Sequence, residues 1–216
     1  DLDTFSSPGS ASAALHAAGA GVAAVDAVML EEGNKHVFCA VRPPGHHATA
    51  DTAMGFCLFN NVAVGALHAL EAHGLERVAV VDFDVHHGNG SQAIFEHDRR
   101  VLFAGSHQWP LYPDSGREDE VGIGNIVNAT LPAGAGGDAF RDAWRGHLLP
   151  RIDAFRPQLL LVSAGFDGHR RDPLAQLQLE AEDYAWVTRE LVRVAERHCG
   201  GRIVSTLEGG YDLEAL

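Results

Sequence analysis

The fold is decided between residues 77 and 90, which have the sequence RVAVVDFDVHHGNG. After the leading arginine the run is apolar and rich in valine, a composition typical of a strand that is covered on both faces. Asp82, Asp84 and His86 are spaced by two, so on an extended chain their side chains share one face. The two glycines that follow predict the end of the strand. Carboxylates and an imidazole at a strand end indicate half of a divalent metal site.

Three more apolar runs end in a turn that contains glycine and an ionisable or phenolic side chain. Because open parallel sheets place their sites at the carboxyl ends of strands, we expect these turns to meet in one crevice. The runs are residues 35–41, 158–163 and 202–207, followed by RPPGHH (42–47), AGFD (164–167) and EGGY (208–211).

Strand-like and helix-like segments alternate along the chain. This alternation predicts an α/β fold in which a parallel sheet has helices on both faces. The segment from Trp109 to Gly137 is rich in glycine and proline and is expected to be mostly surface loop. No linker or repeat is evident, so we expect one domain over residues 1–216. The predicted helices are 7–33 with Ser7 as N-cap, 60 or 61–74, 138–155 and 180–199, and further strands are predicted at 100–104 and 125–131.

The composition limits the class of protein. With 216 residues, 46% of them hydrophobic, the chain is long enough for one globular domain with a sizeable core. The formal net charge of −13 argues against binding to nucleic acid. It suits a cationic substrate such as a polyamine or a lysine-rich peptide, although net charge speaks first to solubility.

Neither a membrane segment nor a secretion signal is expected. No apolar run approaches the roughly 20 residues of a membrane span, and the alanine-rich first segment lacks the basic start of a signal peptide. Because residue 1 is Asp, the missing signal carries little weight. Cys39, Cys57 and Cys199 are too few and too scattered for a disulfide framework. We therefore expect a reducing, cytoplasmic compartment, with each cysteine acting as a small buried apolar residue.

Asp84, His86 and Asp167 together would make a metal site with three protein ligands. A fourth position then stays open for water, which distinguishes catalytic from structural zinc. Zinc in such a site polarises a carbonyl and lowers the pKa of bound water to about 7. Each residue alone is better explained as a satisfied buried polar group, but the trio at strand ends favours a metal.

His46 and His47 follow a rigid Pro-Pro-Gly turn, and paired histidines beside a metal can share the roles of general base and general acid. Asp82 is not needed as a ligand and could orient one of the two rings. Asn89 could orient the other and, being neutral, would raise the pKa of that ring less. The alternative is a pair of surface loop histidines.

Tyr211 follows two glycines, which allow the backbone to approach the site closely. Its phenol would then donate a hydrogen bond where an oxyanion develops. Alone, this turn would favour packing of the ring in the core. Beside the other three strand ends, we favour the functional role.

Together these motifs resemble the arginase/deacetylase fold, in particular the histone deacetylase family and its bacterial relatives. Those relatives include histone deacetylase-like amidohydrolases, acetoin utilisation proteins and acetylpolyamine amidohydrolases. The matching motifs occur in the family's order and cover most of the chain. They are RPPGHH (42–47), GFCLFNN (55–61), VDFDVHHGNG (81–90), SAGFDGHRRDPL (163–174) and LEGGYDL (207–213).

The resemblance implies a role for each site residue. Asp84, His86 and Asp167 are expected to be the ligands of one Zn²⁺ ion per chain. His46 and His47 become the acid/base pair, Asp82 the carboxylate behind His46, and Tyr211 the tyrosine that polarises the carbonyl. Asn89 stands where many class I members have Asp, a feature that resembles the class II group. The residues expected to line the acyl-lysine tunnel are Gly55, Phe56, Tyr112 and Leu174.

Two further metal arrangements are known in related proteins. A structural potassium site uses backbone carbonyls near Asp82, Asp84 and His86 and a serine, but Gly105 takes that serine's position here. The amidinohydrolase cousins hold two manganese ions with D-x-H-x-D and D-x-D motifs. In this chain Gly88 and His169 replace the carboxylates that the second metal needs, which favours a single metal and amide chemistry.

The expected function is zinc-dependent hydrolysis of an N-acetylated amine, such as acetyl-lysine in a peptide or an acetylpolyamine. One alternative is a non-catalytic version of the fold that binds acetylated ligands, and another is a binuclear manganese amidinohydrolase. Family catalytic domains run beyond the length of this chain, so we expect a catalytic domain that is either incomplete at both ends or a natural short form.

Overall fold

The computed structural model describes residues 2–31, 33 and 35–216. Six strands and six α-helices alternate through most of it, and one π-helical turn, Trp144–Leu148, joins two of the helices. The helices are α1 (Ser10–Leu30), α2 (Asn61–Glu71), α3 (Asn89–Phe95), α4 (Gly137–Ala143), α5 (Leu149–Phe155) and α6 (Ala181–His198). The strands are β1 (His36–Cys39), β2 (Val78–Asp82), β3 (Val101–Gln108), β4 (Ile126–Leu131), β5 (Leu159–Ala164) and β6 (Ile203–Leu207).

The strands form one parallel sheet in the order β1-β6-β5-β2-β3-β4. The four strands whose ends were predicted to meet are therefore consecutive neighbours. Asp82 pairs with Ser163, Ser163 with Thr206, and Thr206 with Cys39. Since these pairs lie at the carboxyl ends of their strands, the four following turns begin at the same level of one sheet edge.

Helices cover both faces of the sheet, which confirms the predicted α/β class. On β2, Ala79 and Val81 pack with α4 to α6, whereas Val78 and Val80 pack with α1, α2 and α3. Both sets are fully buried. A central strand that faces two apolar layers needs hydrophobic residues at every position, which explains the unbroken valine-rich run.

Several helices begin, end or are divided at residues other than those predicted from the sequence. Helix α1 begins at Ser10 with Gly9 as N-cap, so the prediction of Ser7 in that role was wrong. The predicted end of this helix included Glu32, which lies outside the described residues. Helix α3 was not predicted at all. The helix expected over 138–155 is present but contains the π-helical turn.

Helix α1 contradicts the expectation that no segment approaches a membrane span. By length and composition alone it is apolar enough to cross a membrane, a test that core helices of soluble proteins also pass. One side of α1 is buried, including Ala17, Val25 and Val28. The three cysteines are free and buried, as predicted.

Candidate active site

The chain leaves the extended conformation immediately after β2, which ends at Asp82. Asp82 Oδ1 accepts a hydrogen bond from the Asp84 amide at 3.0 Å, and Asp84 Oδ1 accepts one from the His86 amide at 2.8 Å. The prediction that the three side chains share a face of one strand was therefore wrong. The orientations of Asp84 and His86 are set by two successive turns, each closed by a hydrogen bond from a backbone amide to an aspartate side chain, and not by the pleat of a strand.

The structure brings Asp84, His86 and Asp167 together although 81 residues separate the last two. His86 Nδ1 lies 3.2 Å from Asp84 Oδ1 and 3.1 Å from Asp167 Oδ2. The ligand atoms of all three residues lie within 4.8 Å of one another. Both carboxylates are buried.

The electrostatics of this cluster fit a bound cation. Burial and the neighbouring Asp84 charge raise the pKa of Asp167 to about 6. Burial opposes the charged form of His86, but hydrogen bonds to Asp167 and Asp84 outweigh it and raise the pKa of this imidazole to about 10. Without a metal, the cluster thus holds a proton between its carboxylates. A divalent ion would replace that proton and neutralise both carboxylates.

Backbone amides hold the two carboxylates from behind. Asp84 Oδ2 accepts a hydrogen bond from Gly209 N at 2.8 Å, and Asp167 Oδ1 accepts one from Val85 N at 3.0 Å. A Cβ at Gly209 would collide with Asp167 Oδ2. Glycine is therefore required in this turn for close approach to the ligands, as the sequence suggested.

His46 and His47 lie beside the metal-ligand cluster with their ring centroids 4.0 Å apart. His46 Nδ1 lies 3.0 Å from Asp82 Oδ2, and His47 Nδ1 lies 2.8 Å from Asn89 Oδ1. Both imidazoles are buried, so the alternative of surface loop histidines was wrong. The structure pairs one ring with a carboxylate and the other with a neutral amide.

The surroundings shift the pKa values of the two imidazoles in opposite directions. Burial lowers the pKa of His46, but the charges of Asp84, Asp82 and Glu208 outweigh it and hold this pKa well above its ordinary value. Burial, reinforced by the neighbouring His46, holds the pKa of His47 well below its ordinary value. Neutral Asn89 compensates this only in part. In the metal-free chain these shifts favour a charged His46 and a neutral His47 at neutral pH.

Glu208 supports the loop of residues 42–48, which carries His46 and His47 and is called the histidine loop below. Glu208 was missed as a site residue. Its Oε2 accepts the backbone N–H groups of Gly45 at 2.6 Å and His46 at 3.1 Å. Its Oε1 accepts the Ser163 hydroxyl at 3.2 Å. Burial raises the pKa of Glu208 to about 7. A signal was present, because a carboxylate directly after a buried strand must find partners inside the protein.

Arg42 was also missed. Its guanidinium donates to the carbonyl oxygens of Glu208 at 3.0 Å and Gly210 at 2.9 Å, and it lies 5.5 Å from the ring centroid of Tyr211. Arg42 therefore fixes both the turn before the tyrosine and the tyrosine ring.

Tyr211 lines the pocket above the metal-ligand cluster. Its backbone N–H donates to Asp172 Oδ2 at 2.8 Å, which anchors the turn. Burial, together with the charges of Asp84 and Asp167, raises the pKa of the phenol. The phenol therefore keeps its proton at neutral pH and is available as a hydrogen-bond donor.

A pocket with a volume of about 290 Å³ leads from the surface to these groups. All four residues predicted to bind substrate line it, together with Pro44 and Leu111. Phe56 and Leu174 are 44% and 42% exposed, as residues at a rim are. A Cβ at Gly55 would collide with the His47 ring, so glycine is needed where the pocket wall passes this imidazole.

The positions that would complete a two-metal site hold no carboxylate. A Cβ at Gly88 would collide with Asp82, which leaves no room for a longer side chain. His169 Nε2 lies 3.6 Å from Glu180 Oε2. His169 does not belong to the metal-ligand cluster in the described part of the chain.

Comparisons with known proteins point to one family. The family model "Histone deacetylase domain" matches residues 1–216. The chain is similar to the histone deacetylase-like amidohydrolase of Pseudomonas aeruginosa, with 46% identity over 94% of this chain and 55% of the relative. It is similar to the type-2 histone deacetylase 2 of Dictyostelium discoideum, with 46% identity over 98% of this chain and 13% of the relative. Human polyamine deacetylase HDAC10 is 45% identical over 93% of this chain and 31% of its own length.

The fold comparison agrees with the sequence comparisons. The crystal structure of the HDA15 HD domain superposes with a TM-score of 0.92 at 40% identity and covers 100% of this chain. The match covers 62% of that domain. The chain thus spans less than two thirds of this structure and of each relative named above.

Proposed function

Because the chain belongs to the histone deacetylase family, we propose that it hydrolyses the amide of an N-acetylated amine to acetate and the free amine. The observation that carries this proposal is the arrangement at the pocket floor. Two of the three potential metal ligands, Asp84 and His86, line one cavity together with the His-His pair and the protonated phenol, and Asp167 completes the ligand cluster.

Asp84, His86 and Asp167 would hold one Zn²⁺ ion. Two carboxylates and one imidazole balance its charge, and three protein ligands leave a position open. The bound ion would supply Lewis-acid chemistry, polarising the amide carbonyl and lowering the pKa of a water molecule.

The remaining steps belong to the chain's own residues. Neutral His47 takes a proton from the attacking water at Nε2, since Nδ1 faces Asn89. The water oxygen bonds to the carbonyl carbon, and the Tyr211 hydroxyl donates a hydrogen bond to the resulting oxyanion. The C–N bond then breaks, and protonated His46 gives its proton to the departing amine. Zinc binding would cancel part of the Asp84 charge beside His46, but Asp82 still favours the protonated ring.

Pocket shape and charge support the choice of substrate. The pocket lining is mostly apolar, with Phe56, Leu111 and Leu174, although Asp3 also lines it, and it would enclose the methylenes of an acetyl-lysine or acetylpolyamine chain. The net charge of −13 favours amines that carry further positive charge. We propose acetyl-lysine peptides and acetylpolyamines as the substrate class.

The test is acetate release from an acetyl-lysine peptide and an N-acetylated polyamine by the purified chain, before and after chelation and with zinc restored. An Asp167→Asn variant serves as a control because it retains the shape of a ligand but loses its charge. Binding of the peptide without acetate release would favour the non-catalytic alternative. Activity that requires two manganese ions would favour the amidinohydrolase alternative.

A further inference from the structure

A second group of potential ligands lies between α1 and α2. Asp26 in α1 has its Oδ1 2.7 Å from Nε2 of His68 in α2 and 2.7 Å from Nε2 of His73, just after α2. These ligand atoms lie within 4.8 Å of one another. None of the three residues lines the catalytic pocket, and the proposed deacetylation uses none of them.

Close helix packing positions Asp26 opposite α2. A Cβ built on Gly21 would lie 3.0 Å from the Asn61 carbonyl oxygen, so the two helices approach closely five residues before Asp26. Val25, next to Asp26, and Val28, two residues after it, are buried. The aspartate is therefore carried by a firmly packed stretch of α1.

The end of α2 brings the two imidazoles together. Gly74 has a φ of +65°, and Leu75 N donates to Ala69 O at 3.3 Å, so the chain folds back over the last turn. The rings of His68 and His73 consequently lie with centroids 5.3 Å apart and an interplanar angle of 83°. Both rings aim Nε2 at the same carboxylate oxygen.

The cluster is partly open to water. The side chains of His68, His73 and Asp26 are 24%, 10% and 44% exposed. Hydrogen bonds from His68 and His73 lower the pKa of the Asp26 carboxyl, so the carboxylate is charged over the physiological pH range. Two imidazoles and one ionised carboxylate, with solvent on one side, provide three ligands and room for water.

We infer that Asp26, His68 and His73 form a peripheral site for a borderline divalent transition metal, with Zn²⁺ as the test ion, that fastens α1 to α2. Imidazole nitrogen with one carboxylate oxygen suits zinc and its neighbours better than Mg²⁺ or Ca²⁺, which prefer oxygen alone. A tetrahedral ion with bonds of about 2.0 Å sets its ligand atoms about 3.3 Å apart. A small rotation of half-exposed Asp26 would open the 2.7 Å contacts to that separation.

Zinc titration of the metal-stripped chain by calorimetry tests this site. We expect His68→Ala to abolish binding of one zinc equivalent or to weaken its affinity by at least about tenfold. Even the loss of a residue that only supports a metal ligand lowers metal affinity by that factor. His73→Ala should have the same effect. His16→Ala is the matched control, because His16 is an exposed imidazole on α1 that contacts only Ser12 O among the hydrogen bonds described. Circular dichroism checks that each variant folds.

A second readout separates the peripheral site from the catalytic one. In an Asp167→Asn chain, whose catalytic cluster is impaired, Zn²⁺ should still raise the midpoint of thermal unfolding, and adding His68→Ala should abolish that rise. Acetate release should persist in the single variant His68→Ala. If His68→Ala and His73→Ala leave the number of zinc equivalents and their affinities unchanged, the cluster is only a hydrogen-bonded contact between helices and the inference is overturned.

Discussion

His46 and His47 are adjacent in sequence, yet the structure gives them different chemical characters. A carboxylate lies behind one ring and an amide behind the other. The difference comes from Asp82 at the end of β2 and Asn89 at the start of α3. A single change at position 89 should therefore alter the proton affinity of His47 without rebuilding the site.

Asn89→Asp should shift the acid limb of the pH–rate profile to higher pH. A carboxylate beside His47 favours its charged form and raises its pKa, by roughly one to three units for a close opposite charge. Since a base must be neutral to act, activity would be lost at a higher pH as the solution is acidified. Rate measurements from pH 5 to 9 check this. An acid limb that stays in place would remove His47 from the role of base.

Tyr211→Phe should lower turnover by about 10²–10³-fold, because one oxyanion donor is lost. Zinc content should not change, since the phenol is not among the cluster's ligands. Tyr184→Phe is the control, because the Tyr184 hydroxyl is buried without a hydrogen-bond partner among the described residues. Equal turnover in the Tyr211→Phe variant and the unmodified chain would refute the assigned role.

At the scale of elements, Asn60 joins helix α2 to the histidine loop. Its Oδ1 accepts Ala63 N at 3.0 Å as N-cap, and its Nδ2 donates to Ala48 O at 3.0 Å. Asn60→Ala should lower the free energy of unfolding by about 2 kcal/mol, since it removes a cap and leaves a buried carbonyl unpaired. Urea denaturation measures the loss. Asn60→Ser keeps a cap oxygen without burying a charge and should cost less, and equal losses would contradict the capping role.

Glu208 predicts a pH dependence of stability in the metal-free chain. Burial raises its pKa from 4.5 to about 7, so the folded state favours its protonated form. The contribution of protonated Glu208 to the free energy of unfolding is fully present below pH 4.5 and is lost as pH rises through about 7. The total change is on the order of 3 kcal/mol. Glu208→Gln stays neutral, so relative to the unmodified chain it should gain stability between pH 5 and pH 8. A difference that does not vary with pH would contradict this account.

The sequence predicted the strands better than the turns between them. An unbroken apolar run such as 78–81 specifies a buried strand by itself, and the polar residues after it identify a site edge. Helix α3 was missed because Gly88 and Gly90 suggest a break. A Cβ at Gly90 would collide with the Ala48 carbonyl. Glycine is therefore needed at this position because of a contact that is distant in sequence, and the local sequence does not reveal that contact.

The sequence predicted Asp82 and Asn89 as partners of the two histidine rings, but it did not predict the supporting roles of Glu208 and Arg42. The structure brings Asp84, His86 and Asp167 together, with His46 and His47 beside them, and their roles stay predictions. Glu208 and Arg42 were missed because each contacts a partner more than 160 residues away in sequence. Such pairs follow from the adjacency of β1 and β6, which the sequence pattern does not specify.

At the scale of the whole molecule, one sheet edge gathers the chemistry. Strands β1, β6, β5 and β2 are neighbours; the turns after β1, β6 and β2 line the same pocket, and the turn after β5 adds Asp167 to the metal-ligand cluster. The central claim is that Asp84, His86 and Asp167 hold a metal ion on which hydrolysis depends. The direct test is acetate release from an acetyl-lysine peptide by the purified chain after complete removal of metal, followed by addition of Zn²⁺. We expect activity to vanish on chelation and to return with zinc, and not to return in Asp167→Asn. Undiminished acetate release from the metal-free chain would contradict the account.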